Sequence, residues 1–263
     1  MRRDLSIFGA YFAQFLKARL AYRADFFAEM GATVLGTAFS LAFVLVLFRP
    51  IEGLSGWGRD EILFIYGLSM VPYGLFGTVS WNLYEFGDRY IIEGNFDRVL
   101  LRPLNSFLQI LFESFRIQAL AESVIGLIVV SLAAVSLGLS FTVFDLFWLL
   151  VAIVSGTVIF LSVFGAIASL SFHFEDRIGI APPVFNLITA GRYPLDIFHP
   201  AVRFLLRWII PFSFVAFYPS TRLLGHPEFR TLCALSPLVA LAFLFVLWLA
   251  WRFGTRRYSS TGS

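Results

Sequence analysis

The sequence predicts an all-α membrane protein with six transmembrane helices, and three observations predict it. Of 263 residues, 59% are hydrophobic and only 14% charged, whereas soluble domains carry about 25% charged residues. Mean hydropathy is +0.81. Apolar runs of about 20 residues, the length a helix needs to cross a bilayer, recur along the chain.

The elements follow in order. Leu5, Phe8, Phe12, Phe15 and Leu16 recur at helical spacing, while Gln14 and Lys17 mark a more polar side. This reads as an amphipathic helix at the membrane surface over residues 1–27. Arg2 and Arg3 ahead of Leu5 to Phe12 mimic a signal peptide, but Gln14, Lys17 and Arg19 break its apolar core too soon. The first span is expected over about 28–48. Arg49-Pro50 stops it, and Gly53, Gly56 and Gly58 make a loop. The second covers about 62–83, with a kink at Pro72.

A polar segment over 84–106 separates the second span from the third. Residues 104–118 are mixed in character, with Glu113 and Arg116 spaced as a pair along a helix. The third and fourth spans cover about 119–139 and 143–172, joined by a turn at Gly138 and Ser140. The fourth is long enough to tilt. A polar hinge, His173 to Arg177, leads to a fifth apolar segment over 178–190, short and interrupted by Pro182-Pro183. Discontinuous helices of this sort are tolerated where the backbone is buried in protein or lines a cavity. Pro194, Pro200, Pro211, Pro219 and Pro227 then break the chain. The apolar middle of that stretch, 204–218, reads as re-entrant, so 192–231 forms an outer region before the last span at about 232–251. The chain reads as a single transmembrane domain over 1–263.

Arginine placement supports this topology. With six spans and both ends inside, thirteen of the twenty basic residues fall on the inner side, as the positive-inside rule favours. Counting 204–218 as a full span would put the basic C-terminus outside, which the rule disfavours.

Composition also excludes several functions. The net charge of +3 is too small to imply nucleic acid. Cys233 is the sole cysteine, so no internal disulfide forms, and His173, His199 and His226 show no metal-ligand spacing. The single lysine, Lys17, has no glycine-rich loop before it, so there is no Walker A site. If ATP drives this chain, another polypeptide binds it. No cluster of His, Asp, Glu or Ser suggests an integral-membrane enzyme, and no repeat between the halves suggests a secondary transporter.

The most informative feature is the polar island Glu93-Gly94-Asn95-Phe96-Asp97-Arg98-Val99-Leu100-Leu101-Arg102-Pro103. Gly94-Asn95 breaks the incoming helix, and Asn95 suits an N-cap. Asp97 lies in the first turn, where it favours the helix dipole. Pro103 ends the element. A helix of about two turns fits between them, with Phe96, Val99 and Leu100 on one face. On the inner side, such an element suits docking into a groove on a soluble partner. An ordinary loop whose arginines only enforce topology fits the same residues.

These residues resemble the cytoplasmic coupling segment of permease subunits of ATP-binding-cassette transporters of the type-2 exporter class. Within that class they are most similar to a bacterial uncharacterised-permease subfamily with the pattern E-G-x-(L/F)-D-x-x-L-L-R-P-x-N. Glu93, Gly94, Phe96, Asp97, Leu100, Leu101, Arg102, Pro103 and Asn105 match it. Gly56-Trp57 with Asp60-Glu61, Arg192-Tyr193-Pro194, Ile210-Pro211-Phe212, Tyr218-Pro219 and the tail from Trp251 to Ser263 resemble other parts of it.

The resemblance implies six spans, an N-terminal interfacial helix, a coupling helix between spans 2 and 3, and re-entrant helices before span 6. It implies a transport subunit that is not an enzyme and binds no cofactor itself, with ATP and magnesium held by two partner ATPase subunits. A second permease, identical or homologous, completes the complex in the bacterial inner membrane, with both termini cytoplasmic. The coupling role falls on Glu93 to Pro103, Arg98 and Val99 included, and is expected to pass motion to spans one, two and five. Aromatic richness suits a hydrophobic or amphipathic substrate, with cation–π contact as one means of holding it. Glu122, near the inner end of span three, is the best intramembrane acid and the candidate for the substrate pathway. An ion-coupled secondary transporter and a non-transporting scaffold are the alternatives.

Overall fold

The computed structural model describes residues 23–47, 53–174 and 180–259. Most of the expected surface helix at 1–27, the Arg49-Pro50 stop and most of the hinge at 173–177 lie outside the described residues. The rest is almost wholly helical, as the apolar runs predict.

Helix α1 spans Arg23–Leu47. A two-residue hairpin, Gly53–Leu54 with Trp57–Gly58, replaces the expected loop. Its turn puts both Ser55 and Gly56 at positive φ, the geometry that joins antiparallel strands most tightly. Helix α2 spans Arg59–Tyr84 and contains Pro72 without interruption. It passes through a π-turn at Gly87–Ile92 into the short helix α3, Phe96–Leu100, and then α4, Ser106–Glu113. Helices α5 (Leu120–Ser136) and α6 (Val143–Leu170) follow, then α7 (Ala181–Ala190). After α8 (Pro200–Phe204) and α9 (Phe217–Thr221), α10 closes the chain at Arg230–Arg257.

Among the described residues, five helical stretches can cross a membrane by length and composition: Ala24–Val46, Arg59–Ile92, Ile117–Ser136, Val143–Leu170 and Pro227–Arg257. The expected fifth span does not form one such helix, since α7 has only ten residues, about 15 Å of rise. The chain nevertheless travels the length of α2 there. Phe185 packs on Trp81 and Tyr84, Tyr193 on Tyr66, and Asp196 accepts a hydrogen bond from Trp57 Nε1 at 3.4 Å. A short helix followed by the unwound Arg192-Tyr193-Pro194 covers the distance.

The next stretch is a V. Between Pro200–Ile209 and Phe212–Thr221 the chain bends by 72°. Its tip is deep in the bundle, with Phe212 on Phe160 and Val215 against Gly156. Both ends return to the hairpin end. Arg203 pairs with Asp196 at 3.5 Å on one limb, and Arg222 with Asp145 at 3.7 Å beyond the other.

The tightest helix contact is α2 against α5. A Cβ on Gly126 would stand 2.7 Å from the Gly67 carbonyl, and one on Gly74 2.4 Å from Ser123 Oγ. Small residues let two backbones approach closely where no hydrophobic force joins helices in lipid. Gly156 and Gly165 likewise admit close contacts, from Val215 and Leu247 respectively. Helix α1 is the contrast: its apolar stretch is 11% buried, against 67% for α2.

Candidate functional site

The polar island sits at the end of the bundle opposite the hairpin, and an aromatic nest fixes it there. Gly94 has φ +70°, a left-handed conformation that only glycine adopts without cost, and it turns the chain back under the bundle. Phe96 is then fully buried. Its ring lies 5.9 Å from Phe86, 4.9 Å from Phe172, 6.4 Å from Trp251 and 4.8 Å from Tyr258. One side chain thus ties α3 to the ends of α2, α6 and α10. These are spans two, four and six by the expected order, not spans one, two and five.

Several local expectations need correction. Helix α3 has five residues, a little more than one turn rather than two. Its apolar residues divide: Phe96 and Val99 face the bundle, while Leu100 is 50% and Leu101 84% exposed. Asn95 holds the N-cap position of α3, but with αR backbone angles and no capping hydrogen bond from its side chain. Its amide donates instead to the Arg89 carbonyl at 2.8 Å and to Glu93 Oε2 at 3.0 Å, tying the π-turn to α3. The side chain that does cap is Asn105, at the start of the next helix: it accepts from Leu108 N–H at 3.1 Å and opens α4. Glu113 and Arg116 make no helical pair, because α4 ends at Glu113. Glu113 takes the Tyr90 hydroxyl and Arg89, while Arg116 lies 4.1 Å over the Trp81 ring.

The island motif therefore has readable parts. Gly94 turns the chain, Phe96 anchors it, and Leu100 and Leu101 stand out as an apolar knob. Glu93 and Asn95 hold the entry, and Pro103 ends the element before the Asn105 cap. Exposed Arg98 and Arg102 flank the knob. With Arg89 they line a cavity of about 230 Å³ against Gln109 and Glu113. Gln109 donates to the carbonyls of Val99 at 3.2 Å and Leu104 at 3.4 Å, fixing the helix exit. Asp97 lies beside Tyr258; burial and that carboxylate push the Tyr258 phenol up to about 12.

Residues 34–262 match the ABC-2 family transporter protein family. The chain belongs to the ABC-2 family of transporter proteins. Comparison with curated proteins and with solved structures gives no match. Membership makes this chain a multi-pass ABC permease, the membrane component of a transporter whose ATPase partners are separate chains.

The second candidate, Glu122, stands in the first turn of α5, away from the island. It lines a groove with Tyr73, Thr33 and Arg116 toward the island end, and with Tyr66 and Arg192 further along. Among the described residues, no group of three His, Cys, Asp or Glu side chains could hold a metal ion.

Sequence reading missed two features of the permease. Asn82 is buried at the end of α2; it donates to the Ile110 carbonyl at 2.7 Å and accepts from Ser114 and Arg89. An amide inside an apolar run was the available signal. The hairpin end is held by Trp57, stacked 4.1 Å from His226, whose ring bonds Glu61 and Glu228 at 3.0 Å each. Partial burial opposes charge on His226, but the two carboxylates outweigh it and hold its pKa above the ordinary value. No short-range pattern joins residues so far apart in the chain.

Proposed function

We propose that this permease is the membrane half of an ATP-driven exporter, with two permeases enclosing the substrate path and two ATPase subunits gripping the island ends. ATP and magnesium belong to those partners, and the cargo is hydrophobic or amphipathic. The island end and both termini face the cytoplasm of a bacterial inner membrane. Six crossings result if 181–196 counts as one and the V re-enters from the outer side.

The observation that carries this reading is the exposed Leu100–Leu101 knob on a five-residue helix whose Phe96 is locked among three span ends. A push on the knob reaches α2, α6 and α10 through one ring. ATP binding shifts the permease only if the ATPase grips the knob more tightly in one state than the other.

The test is co-purification after expression with candidate ATPase and permease subunits, followed by assays of hydrolysis and vesicle transport. Asp97→Arg or Arg102→Glu is expected to uncouple substrate-stimulated hydrolysis from export. Unchanged stimulated hydrolysis and export in both variants would refute the docking role. Transport by this chain alone, without ATP, would replace the reading with an ion-coupled transporter.

A further inference from the structure

The groove between α1, α2 and α5 holds polar and charged groups at membrane depth that docking does not use. It has two adjoining lobes. The one nearer the island end, about 120 Å³, is lined by Trp81, Arg116 and Gln118. The other, about 270 Å³, is lined by Thr37, Ser40, Tyr66 and Arg192. Thr33, Tyr73 and Glu122 line both.

What the α1 side of this groove offers is oxygen lone pairs. Thr33, Thr37 and Ser40 each donate their single hydroxyl hydrogen to the carbonyl four residues earlier, at 2.9, 2.8 and 3.0 Å. Toward the groove they are acceptors only. Gln118 donates to Glu29 Oε2 at 2.9 Å. Its own carbonyl oxygen, in a side chain 3% exposed, has no partner. A buried acceptor left without a donor is costly, and a ligand that brings one removes that cost.

The aromatic faces are already occupied by cations. Arg192 lies 4.8 Å from the Tyr73 centroid and 5.4 Å from that of Tyr66, and Arg116 lies over Trp81. Glu122 feels both guanidinium groups, yet among the described residues no ion pair joins it to either. An acid stands between two aromatic seats held by the chain's own arginines. The Arg192 Nε is buried without a partner, and Nη1 donates to the Tyr66 hydroxyl across a long 3.3 Å, so this guanidinium is weakly held.

We propose that the groove is a seat for an organic cation that carries N–H donors on a flat apolar body. Such a ligand takes the Tyr73 face from Arg192, pairs with Glu122, and gives its hydrogens to the Gln118, Thr33 and Thr37 oxygens. A quaternary ammonium gains only the cation–π contact and the charge pairing. An anion finds both guanidinium groups committed to aromatic faces and meets the Glu122 carboxylate and these lone pairs instead. This deepens the permease reading and rests on it, naming the cargo class that the groove accepts.

Three fluorescent probes of one shape separate these terms: 9-aminoacridinium, 10-methylacridinium and acridine-9-carboxylate. Binding is read by fluorescence polarisation on the full chain in lipid nanodiscs. Saturable binding of 9-aminoacridinium is expected, with 10-methylacridinium about tenfold weaker and the carboxylate unbound. Glu122→Gln should weaken 9-aminoacridinium at least tenfold, and Glu122→Asp by threefold or less. Thr37→Val and Gln118→Leu, which leave the acid in place, should each cost about threefold and keep the test alive if Glu122→Gln does not fold. Equal binding to wild type and Glu122→Gln, equal binding of the carboxylate, or no binding of any probe overturns the proposal. ATPase co-purification is read on the same variants. Loss of probe binding with the ATPase retained supports the groove, whereas an ATPase that never co-purifies tells against docking alone.

Discussion

The two ends of this bundle are built differently. At the island end a run of eighteen residues, from Gly87 to Leu104, makes its own turn, anchor and knob, and joins the spans through the single ring of Phe96. At the hairpin end the holding contacts are long-range. His226 meets Glu61, Trp57 meets Asp196, and Trp148 Nε1 donates to the Pro219 carbonyl at 3.0 Å. The island end leaves two leucines exposed; the hairpin end buries Trp57 and seals itself with ion pairs. On the proposed reading one end is shaped to be gripped and the other to stay shut, which is what a lever needs.

The sharpest way to break the contrast is to strike the island end from within and from without. Phe96→Ala removes the anchor. Emptying an aromatic site costs about 3 kcal/mol or more in a packed core, so thermal unfolding should fall by several degrees and ATPase coupling should vanish with it. Leu101→Asp touches only the exposed knob. ATPase co-purification should fall at least tenfold while the melting temperature stays within a degree or two. If both variants lose stability alike, the knob is part of the core and the docking face lies elsewhere.

The same contrast explains what was legible in the sequence. Apolar runs located the long helices within a few residues, because a bilayer crossing is a composition signal. The island was legible because its parts are adjacent, and Gly94 and Pro103 mark its ends directly. Its details were not. Asn95 is a reasonable cap by residue type, but only the backbone geometry shows that its side chain bonds Arg89 and Glu93 instead, while Asn105 caps the next helix. Leu100 shares a helical face with Phe96 on paper, but a helix of five residues is too short for that face to stay on one side. The hairpin end was illegible because its holding contacts join residues 71 to 165 positions apart. Glu122 was found as a lone acid; Arg192, from the other side of the groove, was not.

A smaller effect tests the hairpin end. His226 has a folded pKa above its ordinary value, which is about 6.5. The link to Glu61 is therefore fully present below that ordinary value and is lost as pH rises through the raised one. The permease should be more resistant to heat at pH 6 than at pH 8.5, by about 1 kcal/mol at most for a pair whose side chains are 23% and 20% exposed. His226→Gln should flatten this slope while leaving ATPase co-purification intact. A slope that persists in the variant would assign the pH response to other groups.

The smallest effect isolates the island's exit. Asn105 caps α4 through Leu108 N–H, and Gln109 on that helix holds the Val99 carbonyl at the end of α3. Replacing a capping asparagine by alanine costs about 1 kcal/mol. Because Gln109 rides on α4, fraying its first turn loosens the end of α3 without touching Phe96 or the leucine knob. Asn105→Ala should therefore keep ATPase binding within about threefold and lower stimulated hydrolysis by a similar factor, while Asn105→Asp, which retains the acceptor, restores both. Asn95→Ala offers the control. Its amide holds the entry to α3 rather than the exit, so restoring a cap oxygen there, as in Asn95→Asp, should not rescue what the lost N–H donor held. Rescue by aspartate at 105 but not at 95 would separate a cap from a tie by function as well as by geometry.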